Sequence, residues 1–78
     1  MRTIEVLGSG CANCRRLEEN AREAATAAGI EAEITHVTDP RDIVARGVMS
    51  TPGLVIDWKV VSAGRVPNAG DIMRWLKE

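Results

Sequence analysis

Two cysteines, Cys11 and Cys14, are the residues of this sequence best suited to chemistry. They stand three positions apart in the stretch LGSGCANC, where an apolar run gives way to a charged, helix-like one. Residues at this spacing on a helix lie roughly 5–6 Å apart, which suits the Cα separation of a disulfide. From the residues alone, the pair could form a reversible disulfide, bind a soft metal ion, or be two buried thiols without chemistry.

The two cysteines are not equivalent in the predicted helix. Cys11 falls at the helix N-terminus, where unpaired N–H groups and the macrodipole favour a thiolate, and Arg15 and Arg16 follow within about a turn. Cys14 lies one turn further on, on the same face as Leu17, so we expect it to be more buried. This asymmetry predicts that Cys11 attacks a disulfide and that Cys14 resolves the mixed disulfide.

Alternating apolar residues, punctuated by glycine, predict four strands. A Gly-Ser-Gly cluster stops the first strand, and only Asp57-Trp58 separates the last two, which therefore pair as an antiparallel hairpin. The predicted strands span residues 2–7, 31–37, 53–56 and 59–63.

Three helices are predicted between and after these strands. The first begins at Cys11 and ends at Gly29, and the second follows the Asp39-Pro40 cap and ends at Gly47. The third begins after Pro67-Asn68, with a buried stripe of Ile72, Trp75 and Leu76. The order β-α-β-α-β-β-α predicts an α/β fold, in which helices pack on a mixed four-stranded sheet.

Composition narrows the classes of function. The chain has 78 residues, so we expect one domain over residues 1–78. Ten basic and eleven acidic residues give a net charge of −1, so we expect neither nucleic acid nor a membrane as partner. The N-terminal apolar run is too short for a signal peptide, which favours a cytoplasmic protein. In a reducing cytosol, closely spaced cysteines are catalytic or metal-binding rather than structural.

The motifs GSGCANC, STPGL (50–54) and AGRVP (63–67) are together similar to those of the thioredoxin-like superfamily. The resemblance is strongest to its small glutaredoxin-like, redox-active disulfide proteins of archaea and bacteria. It covers essentially the whole chain and implies a thioredoxin-like fold. The implied activity is that of a protein dithiol-disulfide oxidoreductase, with Cys11 and Cys14 as the catalytic pair.

The same resemblance implies where a substrate would bind. It implies a cis peptide at Thr51-Pro52, with the Thr51 backbone presented to a substrate strand beside Cys11, and it places Gly64 at the edge of the groove. Met49, two residues before Thr51, could border the groove, but it is assigned to the core.

The positions around the cysteines depart from typical thioredoxins. Gly10 replaces the aromatic residue before the first cysteine, and Ala12-Asn13 replaces Gly-Pro, so these three positions form an altered part of the substrate-binding surface. Glu5 stands six residues before Cys11, where thioredoxins place a buried carboxylate that acts as a proton relay. The strand pattern instead favours Glu5 as a polar residue on a solvated part of the strand.

The implied reaction needs no bound cofactor and no metal, because the electrons reside in the Cys11–Cys14 disulfide/dithiol pair. The expected partners are disulfide-containing protein substrates and an electron donor of the thioredoxin reductase type. No residues mark a glutathione carboxylate site.

Two other classes of function compete with this interpretation. The GSGCANC loop is also similar to the GMxCxxC loop of heavy-metal-associated domains, although Ser9 stands where those domains have Met. They run β-α-β-β-α-β and end on a strand, whereas this sequence predicts a final helix. The remaining alternative is a thioredoxin-fold interaction module, for which an exposed Trp58 would be the anchor.

Overall fold

A computed structural model describes residues 2–8 and 12–78 of the protein. The elements follow the predicted order, and the fold is the α/β arrangement expected from the sequence. Along the chain they are β1 (Arg2–Leu7), α1 (Ala12–Ala28), β2 (Ala32–Val37), α2 (Pro40–Ala45), β3 (Gly53–Ile56), β4 (Lys59–Ala63) and α3 (Ala69–Leu76).

The four strands form one mixed sheet in the order β2-β1-β3-β4. β1 pairs in parallel with β2 and antiparallel with β3, and β3 pairs antiparallel with β4. The sequence predicted the first and last of these pairings. The β1–β3 pairing completes the sheet and places the end of β1 beside the start of β3, where Leu7 is the partner of Gly53.

Alternation along β1 divides the buried residues into two clusters. Ile4 and Val6 belong to the larger cluster, which includes buried residues of α1 and α3, whereas Leu7 belongs to a smaller cluster with Ile43 of α2. Successive strand residues point to opposite faces, so α1 and α3 cover one face of the sheet and α2 the other.

Helix α1 packs on β1, β2 and α3 through a stripe of mostly small residues. Beyond its last turn, Gly29 has a φ of 67°, and the Ile30 N–H donates to the Ala25 carbonyl at 3.0 Å. This is the glycine-terminated end that the sequence predicted. The buried residues of the stripe are Cys14, Leu17, Ala21, Ala24 and Ala25.

The β3–β4 hairpin turn has positive φ at both Asp57 and Trp58, at 48° and 69°. Neither residue favours this conformation as glycine would, and contacts with β1 hold Asp57 in place. The Asp57 carboxylate accepts a hydrogen bond from the Thr3 N–H at 3.0 Å and pairs with Arg2. The Trp58 side chain projects outward and is 74% exposed.

The buried stripe of α3 is narrower than predicted. Ile72 and Leu76 are fully buried, but Trp75 packs against the core cluster while remaining partly exposed. The assignment of Trp75 to the core was therefore only partly right, because its indole lies at the open edge between α3 and β4. Among the residues that the structure describes, no helix has the length and apolar character needed to cross a membrane.

Candidate active site

Cys14 lies in the first turn of α1, and its side chain is fully buried. The burial expected of Cys14 is therefore observed. The predicted nucleophile Cys11 and the predicted substrate-contacting Gly10 lie outside the described residues. Ala12 and Asn13, the two residues between the cysteines, are exposed at the start of α1.

Gly8, the residue that follows β1, brings Cys14 and Thr51 to one place. The Cys14 Sγ and the Thr51 Cβ both lie within 4 Å of the point where a Cβ of residue 8 would stand. The Gly8 N–H continues the ladder of β1 and β2 by donating to the Val37 carbonyl at 2.9 Å. Sequence reasoning treated Gly8 only as part of a turn, although its position at the end of β1 was the available signal.

Thr51 and Pro52 lie in the loop before β3, where the Thr51 Cβ approaches Gly8. The peptide bond between them is cis, the Thr51 side chain is exposed, and Pro52 is buried. The Pro52 carbonyl accepts a hydrogen bond from the Gly64 N–H at 2.9 Å, so these three predicted site residues are brought together.

Gly64, predicted to lie at the groove edge, is exposed, and contacts within the chain call for glycine there. Its φ is 72°, a conformation that side chains disfavour. A Cβ at this position would stand 3.1 Å from the Ser50 Cβ. The absence of a side chain is therefore explained by the turn and by Ser50, without any contact with a partner.

The loop from residue 46 to residue 52 packs against the sheet through Val48. Val48 is 1% exposed and packs in the α2-side cluster with Leu7 and Ile43. A Cβ on Gly53 would stand only 2.9 Å from Val48 Cγ1. This close packing fixes the segment that carries Thr51 and Pro52.

Glu5 is buried, so the interpretation of Glu5 as a solvated strand residue was wrong. Only 5% of the residue is exposed, and its two carboxylate oxygens accept hydrogen bonds from Arg46 Nε and an Arg46 terminal nitrogen at 2.7 and 2.9 Å. These hydrogen bonds raise the pKa of the Arg46 guanidinium, which therefore remains charged beside the carboxylate. Arg46 lies 41 residues away in sequence, and sequence reasoning did not identify it as the partner.

The predicted proton-relay role of Glu5 gains no support from this arrangement. Glu5 shares the face of β1 with Leu7, which packs toward α2, whereas Cys14 belongs to α1 on the opposite face. Because both carboxylate oxygens bind Arg46, the geometry makes Glu5 an anchor for the C-terminal end of α2.

An apolar groove of about 270 Å³ adjoins Thr51. Met49 lines it and is 86% exposed, so the assignment of Met49 to the core was wrong. Val44 of α2 is also exposed, at 58%. The side chains that line the groove are those of Thr38, Pro40, Ile43, Val44, Val48, Met49 and Thr51.

Comparison with known proteins identifies the family of this chain. Residues 2–77 match a family model described as a thioredoxin domain. The chain belongs to the thioredoxin family. It is 40% identical over 76 residues to a thioredoxin of Methanothermobacter thermautotrophicus, covering 97% of this chain and 99% of that protein. It is 39% identical over 77 residues to a thioredoxin of Methanocaldococcus jannaschii, covering 99% and 88%.

Membership in the thioredoxin family, a family of thiol-disulfide oxidoreductases, confirms the predicted resemblance. The element order also argues against the heavy-metal-associated fold, because α2 separates β2 from β3 and the last element is helix α3. Within residues 2–8 and 12–78, no cluster of three or more His, Cys, Asp or Glu side chains could hold a metal ion.

Proposed function

We propose that this protein is a dithiol-disulfide oxidoreductase that uses Cys11 and Cys14 as its redox pair. The observation that best supports the proposal is the position of Cys14. Its thiol is buried at the start of α1, against the end of β1, and near the exposed Thr51. A sheltered thiol close to an exposed backbone segment suits the resolving step of an exchange reaction on a bound polypeptide.

The reaction has two steps. The Cys11 thiolate attacks one sulfur of a substrate disulfide, which forms a mixed disulfide and releases the first substrate thiolate. The Cys14 thiolate then attacks Cys11 Sγ, which forms the Cys11–Cys14 bond, breaks the mixed disulfide and releases the second substrate thiolate. Each substrate thiolate takes up a proton, and the two electrons come from the dithiol.

Cys11 is assigned the attacking role because it immediately precedes α1 in the sequence. The N-terminus of a helix stabilises a thiolate through its unpaired N–H groups and its macrodipole. Cys14 is buried in the first turn of α1, which suits a resolving thiol that reacts only after the mixed disulfide has formed beside it.

We assign Thr51, Pro52 and Gly64 to the substrate-binding surface, because the Thr51 Cβ and the Cys14 Sγ both approach Gly8 and the Gly64 N–H donates to the Pro52 carbonyl. We assign Thr51 the role of pairing its backbone with an extended substrate segment, because Thr51 is exposed and the buried Pro52 fixes its position. Gly10, Ala12 and Asn13 are assigned to the part of this surface around the cysteines, where they replace the aromatic residue and the Gly-Pro of typical thioredoxins.

The groove beside Thr51 extends this surface. We assign it to an apolar side chain of the substrate segment that flanks the reacting cysteine, because Thr51 lines both the groove and the proposed site. The exposed Met49 is unbranched and adaptable, which suits substrates of differing shape.

The proposed reaction uses no bound cofactor. Electrons would be restored to the Cys11–Cys14 disulfide by an external donor of the thioredoxin reductase type, and the substrates would be disulfide-containing proteins. The cytoplasm, where thiols are kept reduced, is the proposed setting.

The proposal is tested by the alkylation rate of each cysteine in the reduced, metal-free protein, followed against pH and resolved by mass spectrometry. We expect Cys11 to react much faster than Cys14, and its rate to rise at a pH below that of an ordinary thiol, near 8.5. Equal reactivity, with stoichiometric protection of both thiols by Cu(I), would refute the redox assignment and indicate a soft-metal carrier.

A further inference from the structure

Gly8 lies against the sulfur of Cys14 more closely than any side chain at residue 8 would allow. A Cβ at this position would stand 2.2 Å from Cys14 Sγ, well inside any non-bonded contact. The next two neighbours, Cys14 Cβ at 3.6 Å and Thr51 Cβ at 3.8 Å, are at ordinary contact distances. The sulfur is therefore the only atom among these neighbours that would have to move.

We propose that Gly8 is a positioning residue that holds the Cys14 thiol in the rotamer required for the resolving step. The inference rests on the proposed function, because it concerns the attack of Cys14 on the mixed disulfide. Gly8 leaves open the space that Cys14 Sγ occupies at the end of β1, on the side of Thr51.

Gly8 has a φ of 158°, which L side chains rarely adopt, so Gly8→Ala strains the backbone as well. The collision itself is with the sulfur of Cys14, which can move more easily than the backbone. Gly8 continues the β1–β2 ladder, and α1 is held by fully buried side chains such as Leu17. Rotation about the single χ1 bond of Cys14, in contrast, moves only Sγ. A change to another staggered rotamer carries a γ-atom by about 3 Å, which relieves the collision.

The displacement would affect the second step of the exchange. In that step the Cys14 thiolate must approach Cys11 Sγ in line with the bond to the substrate sulfur. The S–S bond between Cys14 and Cys11 forms as the bond to the substrate breaks, and the substrate leaves as a thiolate. A misplacement of about 1 Å in a reacting group can cost about 10²-fold in rate.

The experiment compares the wild-type protein with Gly8→Ala and with a control, Gly29→Ala. Gly29 has a φ of 67° and no heavy atom within 4 Å of an added Cβ, so the control strains the backbone at the far end of α1 without touching Cys14. The probe is a disulfide between two different short peptides. Quenched-flow samples, analysed by mass spectrometry, follow the release of the first and second peptide thiols.

We expect both variants to form the mixed disulfide at the wild-type rate. In Gly8→Ala the second release should be about 10²-fold slower and the mixed disulfide should accumulate, whereas Gly29→Ala should resolve normally. The inference is overturned if Gly8→Ala resolves at the wild-type rate, or if the two variants are slowed equally. The absence of any first release from the wild-type protein would instead refute the proposed function, and this inference with it.

A second measurement covers the case in which Gly8→Ala does not fold. The collision is with Sγ, so Cys14→Ala removes its cause. Gly8→Ala should therefore be much less destabilising in a Cys14→Ala background than in the wild type, as measured by the midpoint of thermal unfolding. Equal destabilisation in both backgrounds would overturn the inference.

Discussion

The contact between Gly53 and Val48 allows a direct test of how the loop that carries Thr51 is packed. A Cβ on Gly53 would stand 2.9 Å from Val48 Cγ1 and 3.4 Å from Leu7 Cδ1. The first distance is shorter than the 3.5–4.0 Å that carbon atoms prefer. Since all three residues are buried, Gly53→Ala should overpack this cluster and lower the free energy of unfolding by about 1–3 kcal/mol.

Val48→Ala should also lower the free energy of unfolding, because it leaves space in the cluster that Gly53→Ala would overpack. It removes two methyl groups from a residue that is 1% exposed. At about 0.8 kcal/mol for each buried carbon, the transfer cost is about 1.6 kcal/mol, and an unfilled cavity adds to it. When Gly53→Ala is added to Val48→Ala, the new methyl group occupies space that the valine vacated.

The double variant should therefore cost less than the sum of the single variants, by about 1 kcal/mol or more. For a chain of 78 residues, 1 kcal/mol corresponds to about 6 °C in the midpoint of thermal unfolding. Urea unfolding of the wild-type protein, both single variants and the double variant measures the coupling. If the costs add to within about 0.4 kcal/mol, the contact between Val48 and Gly53 is not as described.

Three further predictions concern other parts of the molecule. Met49→Ser should raise KM for a protein disulfide and leave the alkylation rate of Cys11 unchanged, because the side chain is exposed in the groove; an unchanged KM would exclude the groove from substrate binding. Hydrogen bonds from the Thr3 N–H and from Arg2 hold the pKa of Asp57 below its ordinary value of about 3.9. The stability that this carboxylate contributes is therefore present above its ordinary pKa and is lost as the pH falls through the lowered pKa. Asp57→Asn should therefore weaken the dependence of urea unfolding on acid pH, and an unaltered dependence would contradict this. Asn68→Ala removes the cap of α3 and should lower the unfolding midpoint by about 6 °C, for a cost of about 1 kcal/mol; no change would mean that the cap is not needed.

The boundaries of the elements could largely be predicted from the sequence because local signals mark them. Asp39 and Asn68 cap α2 and α3, and both side chains accept the backbone hydrogen bonds expected of N-caps. Gly29 and Gly47 end helices with positive φ, as glycine does at such positions. These effects act within a few residues of the chain, so the sequence alone carries them.

Burial was less predictable, because it depends on residues distant in sequence. The sequence pattern predicts Glu5 as a solvated strand residue, because it does not show that Arg46, 41 residues away, pairs with it. The sequence predicts both Met49 and Trp75 as core residues. Met49 is exposed in the groove beside the short α2, and Trp75 is partly exposed at the open edge beside α3. Hydrophobicity alone does not determine which apolar residues a small core can cover.

In the candidate site too, local sequence features were predictable, whereas contacts between elements were not. The spacing of the cysteines indicated a disulfide, a soft-metal site or two inert thiols, and the resemblance supplied the roles proposed for the cysteines and for Thr51-Pro52. The approach of Gly8 to Cys14 was not predicted, because it results from the way α1 packs against β1. That contact requires the packing of two elements to be known.

The central claim is that Cys11 attacks and Cys14 resolves. Its most direct test is to react Cys14→Ser and Cys11→Ser with the same peptide disulfide and to locate any adduct by mass spectrometry. We predict a stable, stoichiometric mixed disulfide at Cys11 in Cys14→Ser and almost none in Cys11→Ser. Adducts of equal yield in both variants, or none in either, would contradict the account.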